Sequence, residues 1–349
     1  MNFIIRITTM VLIIIYFLSS KAFTKDISSF AELGDYTLEN GEVIRDCILG
    51  YRTFGNLNSD KSNAVLFPTW LVGTSKDLSD LGIIGQGKMA DSSKYFIIAV
   101  DALGNGVSSS PSNSKYQQGK TFPQFTINDI VKTQYILITK HLKIQHLFGI
   151  IGISMGGMTT LQWMVSYPGF MEKAVAIAAS PRLTSYDLLL LQAELSAIES
   201  SAICGEKEKN NAMKTVAAIH TLHSRTPAYI LTNTSLDKFP QFLSSTENII
   251  MKYDPYNWAW QLKAIMNHDI YKKSGKSEEQ IAKFLKINNL LIWAEQDNMI
   301  NPEPLKKFAD LINSETFVLK GNCGHFAFLC EIDMLSERVK RFFEKRNNY

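Results

Sequence analysis

Between residues 126 and 179 the chain alternates helix-period segments with continuous apolar runs, and no other feature of the sequence constrains the fold as strongly. Thr126 to Leu142 carries apolar residues at helical spacing, and His146 to Ile153 is an apolar run of strand length. Met158 to Tyr167 is helical in period up to Pro168, and Lys173 to Ala179 is a second apolar run. A strand that is apolar at nearly every position has to be covered on both faces, as parallel strands between helix layers are. The order β-α-β-α-β therefore predicts an α/β fold with a mostly parallel central sheet and right-handed crossovers.

The flanking segments extend this reading. Tyr36 to Glu42 and Val43 to Phe54 read as an antiparallel pair, and Asn63 to Pro68 as a short buried strand. A helix is expected over Ile83 to Ala90, followed by a buried strand from Tyr95 to Asp101. From Pro181 to Lys286 the pattern changes. Leu188 to Ile203, Asn211 to Leu222, Phe239 to Met251 and Trp258 to Met266 are helical in period with no buried-strand run among them. Residues 181–286 are thus expected to form a helical lid inserted into a core of residues 23–180 and 287–349. In the second core segment Asn289 to Ala294 and Thr316 to Leu319 read as strands, Pro302 to Ile312 as a helix, and the chain from Ile332 as a final charged helix.

The first 22 residues stand apart. A basic start ending at Arg6, an uncharged apolar stretch from Ile7 to Leu18, and small residues at Ser20 and Ala22 predict a secretory signal cleaved after Ala22. The rival is an uncleaved anchor, although the stretch is shorter than the roughly 20 residues a spanning helix needs. The expected location is secreted or periplasmic, with no membrane span after cleavage. With 36 Lys and Arg against 33 Asp and Glu, the net charge of +3 gives no field for nucleic acid. Export would place Cys47, Cys204, Cys323 and Cys330 in an oxidising compartment. Cys323 and Cys330, close in sequence, are the first pair to test, and four buried small hydrophobes are the competing reading. No cysteine or histidine spacing suggests zinc, and no cofactor or metal is expected.

The chemistry enters at Gly152-Ile-Ser-Met-Gly156, a G-x-S-x-G set between an apolar strand and a helix. That context places Ser154 on a sharp corner with its hydroxyl above the carboxyl end of the strand, and predicts a nucleophile. No lysine follows in the manner of a phosphate-binding loop. A serine hydroxyl is a weak nucleophile without a base. Of six histidines, His141 and His146 flank a turn on the wrong side of the sheet. His220, His223 and His268 fall in the helical insertion, the first two as surface or packing residues. His325 follows the last strand, where a loop can hang a base over Ser154. Asp297, just after the strand 289–294, completes the order Ser, Asp, His typical of α/β-hydrolases. Asp101 and Asp187 are its rivals. Two backbone N–H groups are needed for an oxyanion, one expected from Met155 and the other from Leu71 in the loop after strand 63–68.

With these residues in place, the sequence resembles the homoserine O-acetyltransferases of the α/β-hydrolase superfamily through most of its length after residue 22. Trp70-Leu-Val-Gly73, Asp101 to Gly106, Phe122 to Asp129, Gly152 to Gly157 and Tyr253 to Trp258 all resemble segments of that family. His268-Asp269, Glu295-Gln-Asp297 and Gly324-His325 complete the likeness, which implies Ser154, Asp297 and His325 as the triad. Two positions depart. The family carries an aspartate for the homoserine amino group directly after the histidine, where this chain has Phe326. It carries a lid arginine for the substrate carboxylate before an Ala-Ile pair, where this chain has Leu195 by a looser alignment. Both departures put apolar side chains in the expected substrate pocket. The resemblance then implies an esterase acting on small acyl esters through an acyl-serine, with acetyl-CoA-dependent acyl transfer as the alternative and an inactive binding module as a further one. The expected partner is a small acyl ester, with a second copy of the chain as an open option.

Overall fold

The computed structural model describes residues 28–201, 205–272, 275 and 277–345. The signal sequence expected over residues 1–22 and Cys204 lie outside them. Eight strands form one sheet, in the order β1 (Ser29–Thr37), β2 (Val43–Phe54), β6 (Phe96–Val100), β3 (Ala64–Pro68), β7 (Leu147–Ile153), β8 (Met171–Ile177), β9 (Asn288–Ala294) and β10 (Glu315–Leu319). β2 is antiparallel to both β1 and β6, and every other neighbouring pair is parallel. The apolar runs divide by strand period between two covered faces. Leu66, Ile98, Ile150, Ala174 and Leu291 pack into one layer, and Val65, Ile97, Ile151, Val175 and Ile292 into the other. This is the α/β-hydrolase architecture, and its continuous apolar strands follow from helices on both sides.

Two local expectations are corrected. The hairpin partner of β2 runs from Ser29 to Thr37 rather than from Tyr36 to Glu42, because the turn falls at Leu38–Glu42. There Gly41 adopts a φ of 87°, the left-handed conformation that Asn-Gly pairs favour in hairpin turns. The helix expected over 83–90 is instead the short pair β4 (Ile84–Gly85) and β5 (Ala90–Asp91), preceded by a helix at Ser75–Asp80. Gly82, Gly85 and Gly87 all have positive φ, which no continuous helix accommodates.

Between β8 and β9 the chain is helical. Ser185–Glu199, Glu206–Ser224, Phe239–Ile250 and Pro255–Met266 are accompanied by two shorter helices that the sequence pattern did not reveal, Pro227–Asn233 between the second and third and Glu278–Phe284 before β9. Pro227–Asn233 starts at a threonine cap, the Thr226 hydroxyl accepting the Tyr229 N–H at 3.0 Å. No helix among the described residues is long and apolar enough to cross a membrane.

Candidate active site

β7 ends at Ile153 and the helix Met155–Ser166 begins two residues later, which leaves Ser154 between them as the corner, with φ 56° and ψ −123°. A serine has no intrinsic preference for this conformation, so its surroundings must impose it. The Ser154 N–H donates to the Ile177 carbonyl at 2.9 Å, and its own carbonyl accepts from Met158 at 2.9 Å. The flanking glycines permit the corner because the backbone folds back on itself there. A Cβ on Gly152 would meet the Gly156 carbonyl oxygen at 2.0 Å, and one on Gly156 would meet the Pro68 oxygen at 2.4 Å. The second contact also sets the loop after β3 against the first turn of the helix.

His325 and Asp297 approach Ser154 from the ends of β10 and β9. Met299 and Ile300 donate their N–H groups to Asp297 Oδ1 at 2.9 and 3.0 Å, fixing the carboxylate. Its other oxygen, Oδ2, accepts from His325 Nδ1 at 2.7 Å, and His325 Nε2 stands 2.9 Å from Ser154 Oγ. With Nδ1 committed as donor, Nε2 of the neutral ring is left as an acceptor aimed at the serine hydroxyl. Asp297 and His325 are only 6% and 4% exposed, so little water competes for these bonds.

The loop that carries His325 is pinned from several sides. Gly324 has φ 67°, and a Cβ there would meet the Ser224 carbonyl oxygen at 2.9 Å. The Thr226 hydroxyl donates to the Asn322 carbonyl, and Glu331 accepts the Gly321 N–H at 2.7 Å. Cys323 and Cys330 form a disulfide that brackets the histidine over a separation of 7 residues. Cys47 is a buried free thiol whose burial pushes its pKa up to about 12. Closing so short a loop stabilises a folded chain by about 2–3 kcal/mol on the chain-entropy account. The double variant Cys323→Ser/Cys330→Ser is accordingly expected to lose about 2–3 kcal/mol of unfolding free energy, read as a lower denaturant midpoint. It should also lose more in kcat than in KM, because the loop holds the histidine. Parallel denaturation and steady-state assays check this, and an unchanged kcat would show that the remaining contacts suffice to place His325.

The groups expected to meet an oxyanion lie where the two loops converge. Met155 is the first helical residue after Ser154, and Leu71 lines the same cavity as Ser154. Neither N–H forms a hydrogen bond among the described residues. The next residue, Val72, has φ 47° and donates to Gln261 Oε1 at 2.6 Å, which anchors the Leu71 turn to the helix Pro255–Met266.

Above Ser154 opens a cavity of about 650 Å³, walled largely by apolar side chains from the helical insertion and from the loops at the sheet edge. Phe326 lines it. Leu195 does not: it is packed in the core, and Leu191, one helical turn earlier, faces the cavity in its place. The rival acids have structural partners. Asp101 is buried under Ser75 and Asn105, with desolvation pushing its carboxyl pKa up, while Asp187 caps the helix Ser185–Glu199 and accepts the Asn301 N–H at 2.9 Å. His268 is buried outside the cavity lining, and desolvation pushes its imidazole down to about 4. His220 departs from the sequence reading, for it lines the cavity with Nδ1 held at 3.0 Å by the buried Glu194, which also accepts from Trp258 Nε1 at 2.9 Å. A buried carboxylate between two ring N–H donors has no signature in local sequence.

Residues 84–331 match the family described as alpha/beta hydrolase fold, and the chain belongs to that family. It is 33% identical over 270 residues to the ethyl acetate hydrolase of Pseudomonas veronii, covering 70% of this chain and 75% of that protein. To the homoserine O-acetyltransferase of Methanococcoides burtonii it is 29% identical over 352 residues, covering 88% of this chain and 72% of that one. An acetylester hydrolase from Corynebacterium glutamicum has a similar structure, with a TM-score of 0.85 at 26% identity over 91% of this chain and 96% of that one.

Proposed function

We propose that the protein is a serine acyl-hydrolase that cleaves small acyl esters, with residues 181–286 serving as a lid over the site. The observation that carries this reading is the run of two hydrogen bonds, 2.7 Å from Asp297 to His325 and 2.9 Å from His325 to Ser154, at the floor of an apolar cavity. In the first half-reaction Ser154 Oγ attacks the ester carbonyl as its proton passes to His325 Nε2. The carbonyl oxygen gains charge facing the N–H groups of Leu71 and Met155. The tetrahedral species collapses as His325 returns the proton to the alkoxy oxygen, releasing the alcohol and leaving an acyl ester on Ser154. Water then attacks the acyl carbon as its proton passes to the same nitrogen, and the acyl–Oγ bond breaks as His325 returns that proton to Ser154 Oγ, freeing the acid. Asp297 keeps the ring oriented and stabilises the imidazolium.

Acyl transfer is the second reading, favoured by the likeness to homoserine O-acetyltransferases over most of the chain. Against it stands Phe326 on the cavity wall, where that family places an aspartate for the homoserine amino group. A secreted or periplasmic location is part of the proposal, and the disulfide beside His325 supports it because such bonds persist in oxidising compartments. The deciding experiment supplies an acetyl ester or acetyl-CoA to purified protein, with and without homoserine, and identifies the products by mass spectrometry. Free acetate is expected under every condition with the ester. Predominant O-acetylhomoserine would reinstate transfer as the activity.

A further inference from the structure

Five acidic, basic or imidazole side chains line the cavity, and four of them already have partners. Asp77 is engaged by the N–H and hydroxyl of Thr74, Asp80 by Lys76, His220 by Glu194 and His325 by Asp297. The fifth is Arg225, at the end of the helix Glu206–Ser224. It forms no ion pair among the described residues, and its guanidinium donates only to Cys330 Sγ, at the long distance of 3.8 Å. Its place is nonetheless defined. The guanidinium carbon stands 4.5 Å from the ring centre of Tyr229 and 4.5 Å from that of Phe326. Two aromatic faces fix the group, and neither supplies an acceptor for its N–H donors. The half-buried setting disfavours its charge, and the pKa is lowered chiefly by desolvation.

A guanidinium held in this way is matched by a planar anion that can take two parallel N–H bonds, and a carboxylate has that shape. The position of Phe326 indicates which half of an ester would carry it. Phe326 directly follows His325, with the two ring centres 6.2 Å apart, and His325 Nε2 is the atom that must reach the departing alkoxy oxygen. We propose that Arg225 forms a carboxylate subsite in the cavity and that the preferred substrate is an acyl ester whose alcohol half carries a carboxylate. The proposal rests on the acyl-hydrolase reading of Ser154 and adds to it a substrate class that the largely apolar walls would not suggest.

The test uses acetate esters matched in size, the acetyl ester of 4-hydroxybutyrate and that of 4-hydroxybutyramide, with ethyl hydrogen succinate and ethyl succinamate carrying the same difference on the acyl half. For the wild-type protein, kcat/KM is expected to favour the carboxylate over the amide by about tenfold or more in the first pair, mainly through KM. No such preference is expected in the second pair. Arg225→Gln should collapse the first ratio towards one, and Arg225→Lys should keep part of it. A measurement on the unaltered protein stands beside these in case the variants do not fold. Butyrate should inhibit hydrolysis of a neutral acetate ester competitively and better than butyramide, with the advantage shrinking as salt is added. Hydrolysis of neutral esters with equal ratios in wild type and Arg225→Gln would overturn the subsite while leaving the hydrolase reading intact. An Arg225-dependent preference confined to the succinate pair would overturn the placement on the alcohol half. Failure to hydrolyse any of the esters would overturn the hydrolase reading and the subsite with it.

Discussion

Ser154→Ala is expected to lose about five to six orders of magnitude in kcat while remaining folded, the scale on which removal of a triad nucleophile acts in other serine hydrolases. The two halves of this expectation rest on different observations. Folding should survive because the hydroxyl's one hydrogen bond is to His325, and alanine meets the strained corner at φ 56° no worse than serine does. The 2.9 Å bonds that hold the corner run through the Ser154 backbone and are untouched by the change. Turnover should disappear because nothing else at the corner can form the acyl intermediate. Met155 is a thioether and its neighbours Gly156 and Gly157 have no side chains. The measurement pairs steady-state hydrolysis with labelling by an active-site phosphonate and with a thermal unfolding scan. Phosphonate labelling of the alanine protein, or activity within about tenfold of wild type, would move the nucleophile elsewhere.

The features that were legible in the sequence share a physical property, which is that each is determined locally. The apolar runs at 147–153 and 171–177 report a sheet covered on both faces wherever they occur. Gly152 and Gly156 report a backbone that approaches itself within a few residues. Asp297 and His325 could be proposed from position alone, because strand ends in a parallel sheet converge on one edge. What sequence missed depends on packing between distant elements. Leu191 rather than Leu195 faces the cavity although the two share one face of the helix Ser185–Glu199, because the cavity meets that helix one turn nearer its start, and no periodicity reports where along its axis a helix borders a cavity. His220 reaches the cavity wall only because Glu194 and Trp258, from two other helices, receive it. Arg225 gains its meaning from Phe326, a hundred residues away, which as a sequence position is only an apolar departure from a pattern. The misplaced hairpin turn is a different case. Asn40-Gly41 was a readable signal, and the continuous β-like pattern across it concealed where the strand stops.

Asp297→Asn is expected to lower kcat by about four orders of magnitude with a much smaller change in KM, and the hydrogen bonds around the carboxylate explain why so small a substitution should cost so much. Oδ1 of Asp297 accepts two backbone N–H groups, from Met299 and Ile300, while Oδ2 accepts the Nδ1 proton of His325. Asparagine has one oxygen and one NH2 to place in those two positions. If its oxygen keeps the two backbone donors, its NH2 faces His325 Nδ1 and forces that nitrogen to accept. The ring proton then resides on Nε2, and the nitrogen facing Ser154 can no longer take the serine proton. The flipped orientation would set the NH2 against two N–H donors in a buried site and leave all of them unsatisfied, which costs more than the tautomer change. Asparagine is therefore held in the orientation that disables the base, without displacing Ser154 or the cavity walls that bind the ester. Kinetic comparison of Asp297→Asn with wild type on one ester, with KM and kcat resolved separately, tests the argument. A loss of less than about a hundredfold would mean that another group orients His325, and a loss falling mainly on KM would mean that Asp297 shapes the pocket rather than the base.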